Sequence, residues 1–181
     1  MSAESRGPLD DPTATAVDPV AFRGVAGRFA TGVTVVTTVV GDDHHAMTAN
    51  SFTSVSLDPV LVLVSVDRSS RFHDVVVRAG VFGVTVLAQD QEEAARWFAT
   101  RARPHDISQF DPHPHRRGEL TGAVLLDGAL ATLECKAYAL HEAGDHSLLL
   151  GEVVGMALPR PDAEPLVFYA GRYHRLSLEE K

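Results

Sequence analysis

A chain of 181 residues with 45% hydrophobic and 22% charged residues has room for one domain with a substantial core and is short for two. Its formal charge of −8 argues against a nucleic-acid footprint. No apolar run approaches the roughly 20 residues of a membrane helix, and the single cysteine, Cys135, leaves no intrachain disulfide and fits a buried thiol in a reducing cytoplasm.

Residues 1–17 are polar, rich in Ala, Asp, Pro and Thr, and lack the apolar stretch of a secretory signal. They are expected to form a disordered tail, with the folded domain spanning 18–177 and a short tail over 178–181. Asp18-Pro19 supplies an N-cap followed by proline at the first helical position. Phe22, Val25, Ala26 and Phe29 then share one helical face, and the helix is expected to end near Ala30-Thr31-Gly32. Gly24 and Gly27 inside it read as close-packing positions. Val33 to Val40 is almost entirely Val and Thr, which suits a strand.

After turn residues Gly41 to His44, the stretch Met47 to Pro59 is expected to return as the second strand of a hairpin. Thr48, Asn50, Ser51, Thr53, Ser54 and Ser56 crowd it with hydroxyl and amide groups. Two readings have equal standing on chemistry alone. One is a ligand surface for carbonyls, hydroxyls and phosphate, and the other is a Ser/Thr-rich edge strand. Val60 to Val66 is apolar without alternation, as expected of a strand covered on both faces, for example a barrel wall under a partner subunit.

Ser69 or Ser70 can cap a helix carrying Phe72, Val75, Val76 and Ala79 on one face and stopping at Gly80. Its N-terminus, flanked by Arg68 and Arg71, is a natural anion site. Val81 to Ala88 reads as a strand. Asp90 with Glu93 reads as the capping box of a further helix that turns Ala94, Trp97 and Phe98 inwards. Thr100 to Thr121, with Pro104, Pro112 and Pro114, reads as a long surface loop. Gly128–Glu142 and Ser147–Leu158 are strands joined by the hairpin signal Ala143-Gly144-Asp145-His146. Leu166–Tyr169 and Tyr173–Leu176 are expected to close the sheet. Many strands, short connections and three helices predict an antiparallel, mainly β barrel.

No G-x-G-x-x-G, Walker loop, G-x-S-x-G or C-x-x-C is present. Of nine histidines, the nearest clusters are His113-Pro114-His115 and His141 with His146. None has metal-ligand spacing, so no metal site is expected.

Thr48-Ala49-Asn50-Ser51-Phe52-Thr53-Ser54-Val55-Ser56-Leu57-Asp58-Pro59, followed by Ser65-Val66-Asp67-Arg68-Ser69-Ser70-Arg71, resembles the flavin-binding signature of the short-chain flavin reductase family. That family supplies the reductase components of two-component flavin monooxygenases. Phe29 to Thr37, Gly144-Asp145-His146 before the Leu148–Glu152 run, and Tyr169-Ala170-Gly171-Arg172-Tyr173 extend the resemblance from about Phe22 to Leu176. It departs at Val60, where the family often has a second proline, and in the loop around His113 to Arg117, which has no clear counterpart. That loop could touch a partner or restrict the pocket.

The resemblance implies a split β-barrel of Greek-key, FMN-binding type with a few flanking helices, forming a homodimer. It also implies reduction of free FMN or FAD by NADH or NADPH, with reduced flavin passed to a partner monooxygenase. Thr31, Gly32 and the 48–54 segment (Thr48, Ala49, Asn50, Ser51, Phe52, Thr53, Ser54) would hold the flavin, with Ser65 and Val66 beneath the ring. Ser69, Ser70 and Arg71 would hold its phosphate, and His146 would act beside the nicotinamide. Tyr169 and Tyr173 are either further flavin contacts or core aromatics. A flavin-dependent oxidase or oxygenase of the same fold, or a non-enzymatic flavin-binding module, are the alternatives.

Overall fold

The computed structural model describes residues 17–176. The tails expected over 1–17 and 178–181 lie outside the described residues, apart from Val17. Asp18 opens α1 (Pro19–Ala26), its carboxylate accepting from the N–H groups of Val20 and Ala21 at 3.1 and 3.2 Å. The helix stops at Gly27, short of the expected 30–32, where the Gly27 N–H bonds back to Arg23. Gly27 lies 3.8 Å from the Ala170 Cα by its Cβ position, whereas Gly24 faces open space and packs against nothing. No residue of α1 is buried. The apolar face of the helix stands exposed, with Phe22 at 59%, Val25 at 72% and the following Phe29 at 78%.

The remaining elements are β1 (Thr31–Gly32), β2 (Thr34–Val40), β3 (Asp43–Ala49), β4 (Thr53–Leu57), β5 (Val60–Asp67), α2 (Arg71–Ala79), β6 (Val81–Val86) and α3 (Glu92–Ala99). They are followed by β7 (His115–Arg117), β8 (Val124–Leu126), β9 (Ala131–Ala143), β10 (His146–Ala157), β11 (Leu166–Tyr169) and β12 (Arg172–Arg175). The main sheet is antiparallel throughout in the order β3-β2-β6-β9-β10-β5-β4.

This order corrects the hairpin reading of Met47–Pro59. The stretch is two strands, β3 and β4, at opposite edges of a seven-stranded sheet and separated only by Asn50-Ser51-Phe52. Ladder pairing lapses at those three residues, and β4 folds back on β5 through the Leu57–Val60 turn. A sheet whose two edges are three residues apart has to curl. One core accordingly collects Val36, Ala49, Val62, Val64, Val66, Phe82, Val84 and Leu149 from five strands, and Phe72 and Val76 from α2. Each fully buried Val, Leu or Phe among them contributes roughly 1.5–3 kcal/mol. In β5 the expected two-sided burial is partial: Val62, Val64 and Val66 are buried while Leu63 and Ser65 are half-buried and Val60 is exposed. Gly151 in β10 admits no side chain, because a Cβ there would sit 2.2 Å from the Phe82 ring.

A second core under α3 joins Val33, Val35, Leu87, Phe98, Phe110, Leu126 and Leu166. Here the sequence reading needs three corrections. A 3-10 turn over Gln89–Gln91 leads into α3, its start closed by the Gln91 side chain accepting from the Ala88 N–H at 3.1 Å, while Asp90 pairs with Arg160 at 2.9 Å and α3 itself has no side-chain cap. The 100–121 segment is no simple surface loop, since Arg103, Gln109 and Phe110 are buried. The Gln109 amide donates to the carbonyls of His44 and Asp106 at 2.8 and 2.9 Å, and β7 pairs with β8. Finally, β11 and β12 do not extend the main sheet. They form a separate three-stranded sheet with β1, in register Thr31 to Phe168 and Gly32 to Val167.

α2 matches its expectation. Ser70 caps it, Phe72, Val75 and Val76 are buried, and Gly80 ends it at φ 65°. Cys135 is fully buried, and burial pushes its thiol up to about 12, which suits an inert core position. Among the described residues no helix is long and apolar enough to cross a membrane, and no group of three or more His, Cys, Asp or Glu side chains could hold a metal ion.

A candidate nucleotide site on either side of the strand break

The segment from His45 to Thr53 runs between two clefts. The first, of about 400 Å³, is lined by His45, Met47, Thr48, the start of α2 at Ser69-Ser70-Arg71, and Arg101, Arg103 and His105. The second, of about 680 Å³, is lined by Thr31, Gly32 and Asn50 to Thr53, together with Phe22, Phe29 and Phe168.

The first cleft is cationic because of how the chain folds around it. Ser70 caps α2 by accepting from the His73 N–H at 3.2 Å. Ser69 turns to Asp67, donating from its N–H at 2.8 Å and its hydroxyl at 2.7 Å. These bonds hold the Asp67 carboxyl below its ordinary range. Arg71 and Arg78 donate to the two oxygens of Asp43 at 3.1 and 2.9 Å, so two guanidinium groups share one carboxylate. Arg103 is 93% buried by its 7% exposure. It bonds the carbonyls of Thr100 and Ala46 and, at 3.4 Å, the Gln109 side chain. His45 accepts from the Ala46 N–H at 2.9 Å through Nδ1. Burial first, then Arg103 and His105, drive its pKa down to about 4, so the ring is neutral at pH 7.

The second cleft is aromatic, with polar atoms at its edge. The Thr31 hydroxyl is buried there without a hydrogen-bond partner among the described residues. Buried polar atoms are rarely left unbonded, so this one fits a ligand's polar group. Ser51 ties the strand break to β5, accepting from the Ser65 N–H at 3.1 Å and donating to the Ser65 carbonyl at 3.2 Å.

His146 begins β10 opposite Asp67. Its Nδ1 donates to the Asp145 carboxylate at 2.7 Å, which leaves Nε2 turned away, and the side chain is 43% exposed. The Arg68 N–H bonds the Asp145 carbonyl at 3.0 Å. The hairpin is thereby fastened beside the start of α2.

The residues singled out from the sequence divide accordingly. Thr48, Ser69, Ser70 and Arg71 meet in the cationic cleft, and Thr31, Gly32, Asn50, Ser51, Phe52 and Thr53 in the aromatic one. The Thr48 hydroxyl is already engaged by the Ala95 carbonyl at 2.6 Å. Ala49 is buried, its carbonyl accepting from Thr34 at 2.8 Å. Ser54 is exposed on β4 and lines neither cleft. Val66 is fully buried in the core and lines neither cleft. Tyr173 packs on Phe168 at 5.4 Å and under Arg96 at 5.0 Å, and Tyr169 sits edge-on to His174 at 5.9 Å. Neither lines the two clefts. Arg101, Arg103 and His105 went unnoticed in the sequence. Their spacing as alternate residues in a segment read as plain loop was the available signal.

This is a mainly β protein with a nucleotide-sized, phosphate-compatible groove beside its strand break. Residues 26–177 match the family model described as the flavin reductase like domain, and the chain belongs to that family. It is 46% identical over 173 residues to an NADH-dependent FAD reductase of Streptomyces globisporus, covering 94% of each chain. An NADH-dependent flavin reductase of a Rhodococcus species is 43% identical over 97% of this chain and 94% of its own. Among solved structures, the flavin reductase component of a bacterial two-component tryptophan halogenase is 46% identical and superposes with a TM-score of 0.84, over 90% of this chain and all of that one. The S. globisporus C-1027 NADH:FAD oxidoreductase, solved in complex with NAD and FAD fragments, gives 0.83 at 44% identity over 93% of this chain and all of its own.

Proposed function

We propose that this protein is an NADH-dependent flavin reductase, the reductase component that supplies reduced FMN or FAD to a partner monooxygenase. The observation carrying this reading is that the family match over residues 26–177 includes the strand break, the whole cationic cleft and the aromatic cleft apart from Phe22 and Arg23. When both are bound, the nicotinamide supplies a hydride from C4 and the flavin accepts it at N5. The chain's own residues bind, orient and exclude water. The aromatic cleft takes the planar ring, with the unpartnered Thr31 hydroxyl, Asn50 and the free backbone of the strand break as its polar contacts. The α2 start and Arg71 take the phosphate, because orphan helix N–H groups and a guanidinium both favour an anion. His146, held by Asp145, aligns the nicotinamide through its outward nitrogen.

The reading extends to assembly. The curled sheet closes as a split barrel, and two chains form a homodimer whose interface covers α1. The exposed apolar face of Val20, Phe22 and Val25, continued by Phe29, supports it, since a helix with no buried residue gains little from folding alone. A cytoplasmic location belongs to the same reading, supported by the free, buried Cys135. NADH consumption with excess free FMN, FAD or riboflavin tests it. Multiple turnovers are expected, and oxidation of a single equivalent with no further turnover would overturn the reductase.

A further inference from the structure

The cationic cleft holds more positive charge than one phosphate monoester requires. Its lining has three arginines and no Asp or Glu, in a chain of net charge −8. Arg71 shares Asp43 with Arg78. Neither Arg101 nor Arg103 pairs with a carboxylate among the described residues, and Arg103 is 7% exposed. Its neighbours are the carbonyls of Ala46 and Thr100, Gln109, and the Phe98 ring at 5.7 Å. A buried guanidinium satisfied only by neutral acceptors keeps its full charge, and burial without a counter-ion is costly. Burial accordingly depresses its pKa. A ligand anion would remove that cost.

We propose that this cleft holds the diphosphate of an ADP-bearing dinucleotide: the α2 start and Arg71 take one phosphate, and Arg101 with Arg103 the second. The inference rests on the flavin reductase reading and deepens it, since it gives the site a preference for dinucleotides over mononucleotides. Two dinucleotides of that reading, FAD and NADH, carry this group. A cleft of about 400 Å³ is large enough for a diphosphate with part of its nucleoside.

The test uses the whole protein, with Arg101→Gln as the main variant, because Arg101 is exposed and makes no side-chain hydrogen bond among the described residues. Arg103→Lys, which keeps the charge and loses the fork, is the second. Dissociation constants for FMN and FAD are read by flavin fluorescence, and KM for NADH with riboflavin as acceptor. If FAD occupies the cleft, wild type binds FAD at least tenfold tighter than FMN, and Arg101→Gln reduces that ratio about tenfold. If NADH occupies it, KM for NADH rises about tenfold and the FAD to FMN ratio stays. Equal losses for FMN and FAD with KM for NADH unmoved would show a mononucleotide phosphate site and overturn the proposal, as would no change in any of these. Wild-type turnover of riboflavin by NADH separates the two failures. Its absence removes the reductase reading itself, whereas its presence with an indifferent Arg101 removes only the dinucleotide cleft.

Discussion

The Ser51 hydroxyl bonds both backbone groups of Ser65, accepting from the N–H at 3.1 Å and donating to the carbonyl at 3.2 Å. Ser65 lies two residues beyond the last β4–β5 ladder pair, Thr53 with Leu63. A side chain thus stands in for the missing strand where the chain crosses between sheet edges. Ser51→Ala leaves two backbone groups of half-buried Ser65 without these partners, at a cost of about 1–3 kcal/mol. At roughly 2–4 °C per kcal/mol for a chain of this size, thermal unfolding should shift down by several degrees. An unchanged Tm would mean that water replaces the hydroxyl at no cost.

Arg71→Ala should raise KM for FMN much more than for riboflavin, which lacks the phosphate. The loss expected for a charge-assisted hydrogen bond is about 1.5–3 kcal/mol. Equal effects on both flavins would assign Arg71 to its bond with Asp43 instead.

His146→Ala should bind oxidised flavin nearly normally and lose kcat/KM for NADH by roughly 10- to 100-fold, equivalent to about 1.4–2.7 kcal/mol. Stopped-flow bleaching of the flavin locates the loss in the reductive half-reaction. Collapse of flavin affinity with fast hydride transfer in the residual complex would place His146 in the flavin site or the fold.

Acid should destabilise the protein through its buried histidines. Burial holds His44, His45 and His113 below their ordinary value, His45 down to about 4. Between about pH 4 and 6.5 the unfolded chain therefore binds the His45 proton and the folded one does not. Stability rises with pH across that window and is lost as pH falls, by up to about 1.4 kcal/mol per pH unit for this group. Denaturant midpoints at pH 4.5, 5.5 and 6.5 should show the slope, flatter by about one proton in His45→Gln. An equal slope in both proteins would clear His45 of the effect.

Sedimentation at micromolar concentration should give a dimer, and Val25→Glu, which puts a charge on the uncovered face of α1, should weaken it at least tenfold. A wild-type monomer would remove the homodimer, and an unaffected dimer would move the interface away from α1.

Elements whose causes lie within a few residues were determined by the sequence itself. The Ser70 cap, the Phe72–Val76 face and the left-handed Gly80 define α2, the Val/Thr run makes β2, and Gly144-Asp145 turns β9 into β10. The signature from Thr48 to Arg71 likewise named, without reference to the fold, residues that line the two clefts. Only the tertiary structure decided that this signature breaks at Asn50 to Phe52 and spans two opposite sheet edges, because that depends on β4 pairing β5 and on Ser51 reaching Ser65. It also decided that Asp90 serves Arg160, not the start of α3, that α1 turns its apolar face outward, and that Arg103 is buried on a scaffold supplied by Gln109 and Ala46. Each of these rests on partners distant in the chain, whose competition for the same backbone and side-chain groups no local periodicity encodes.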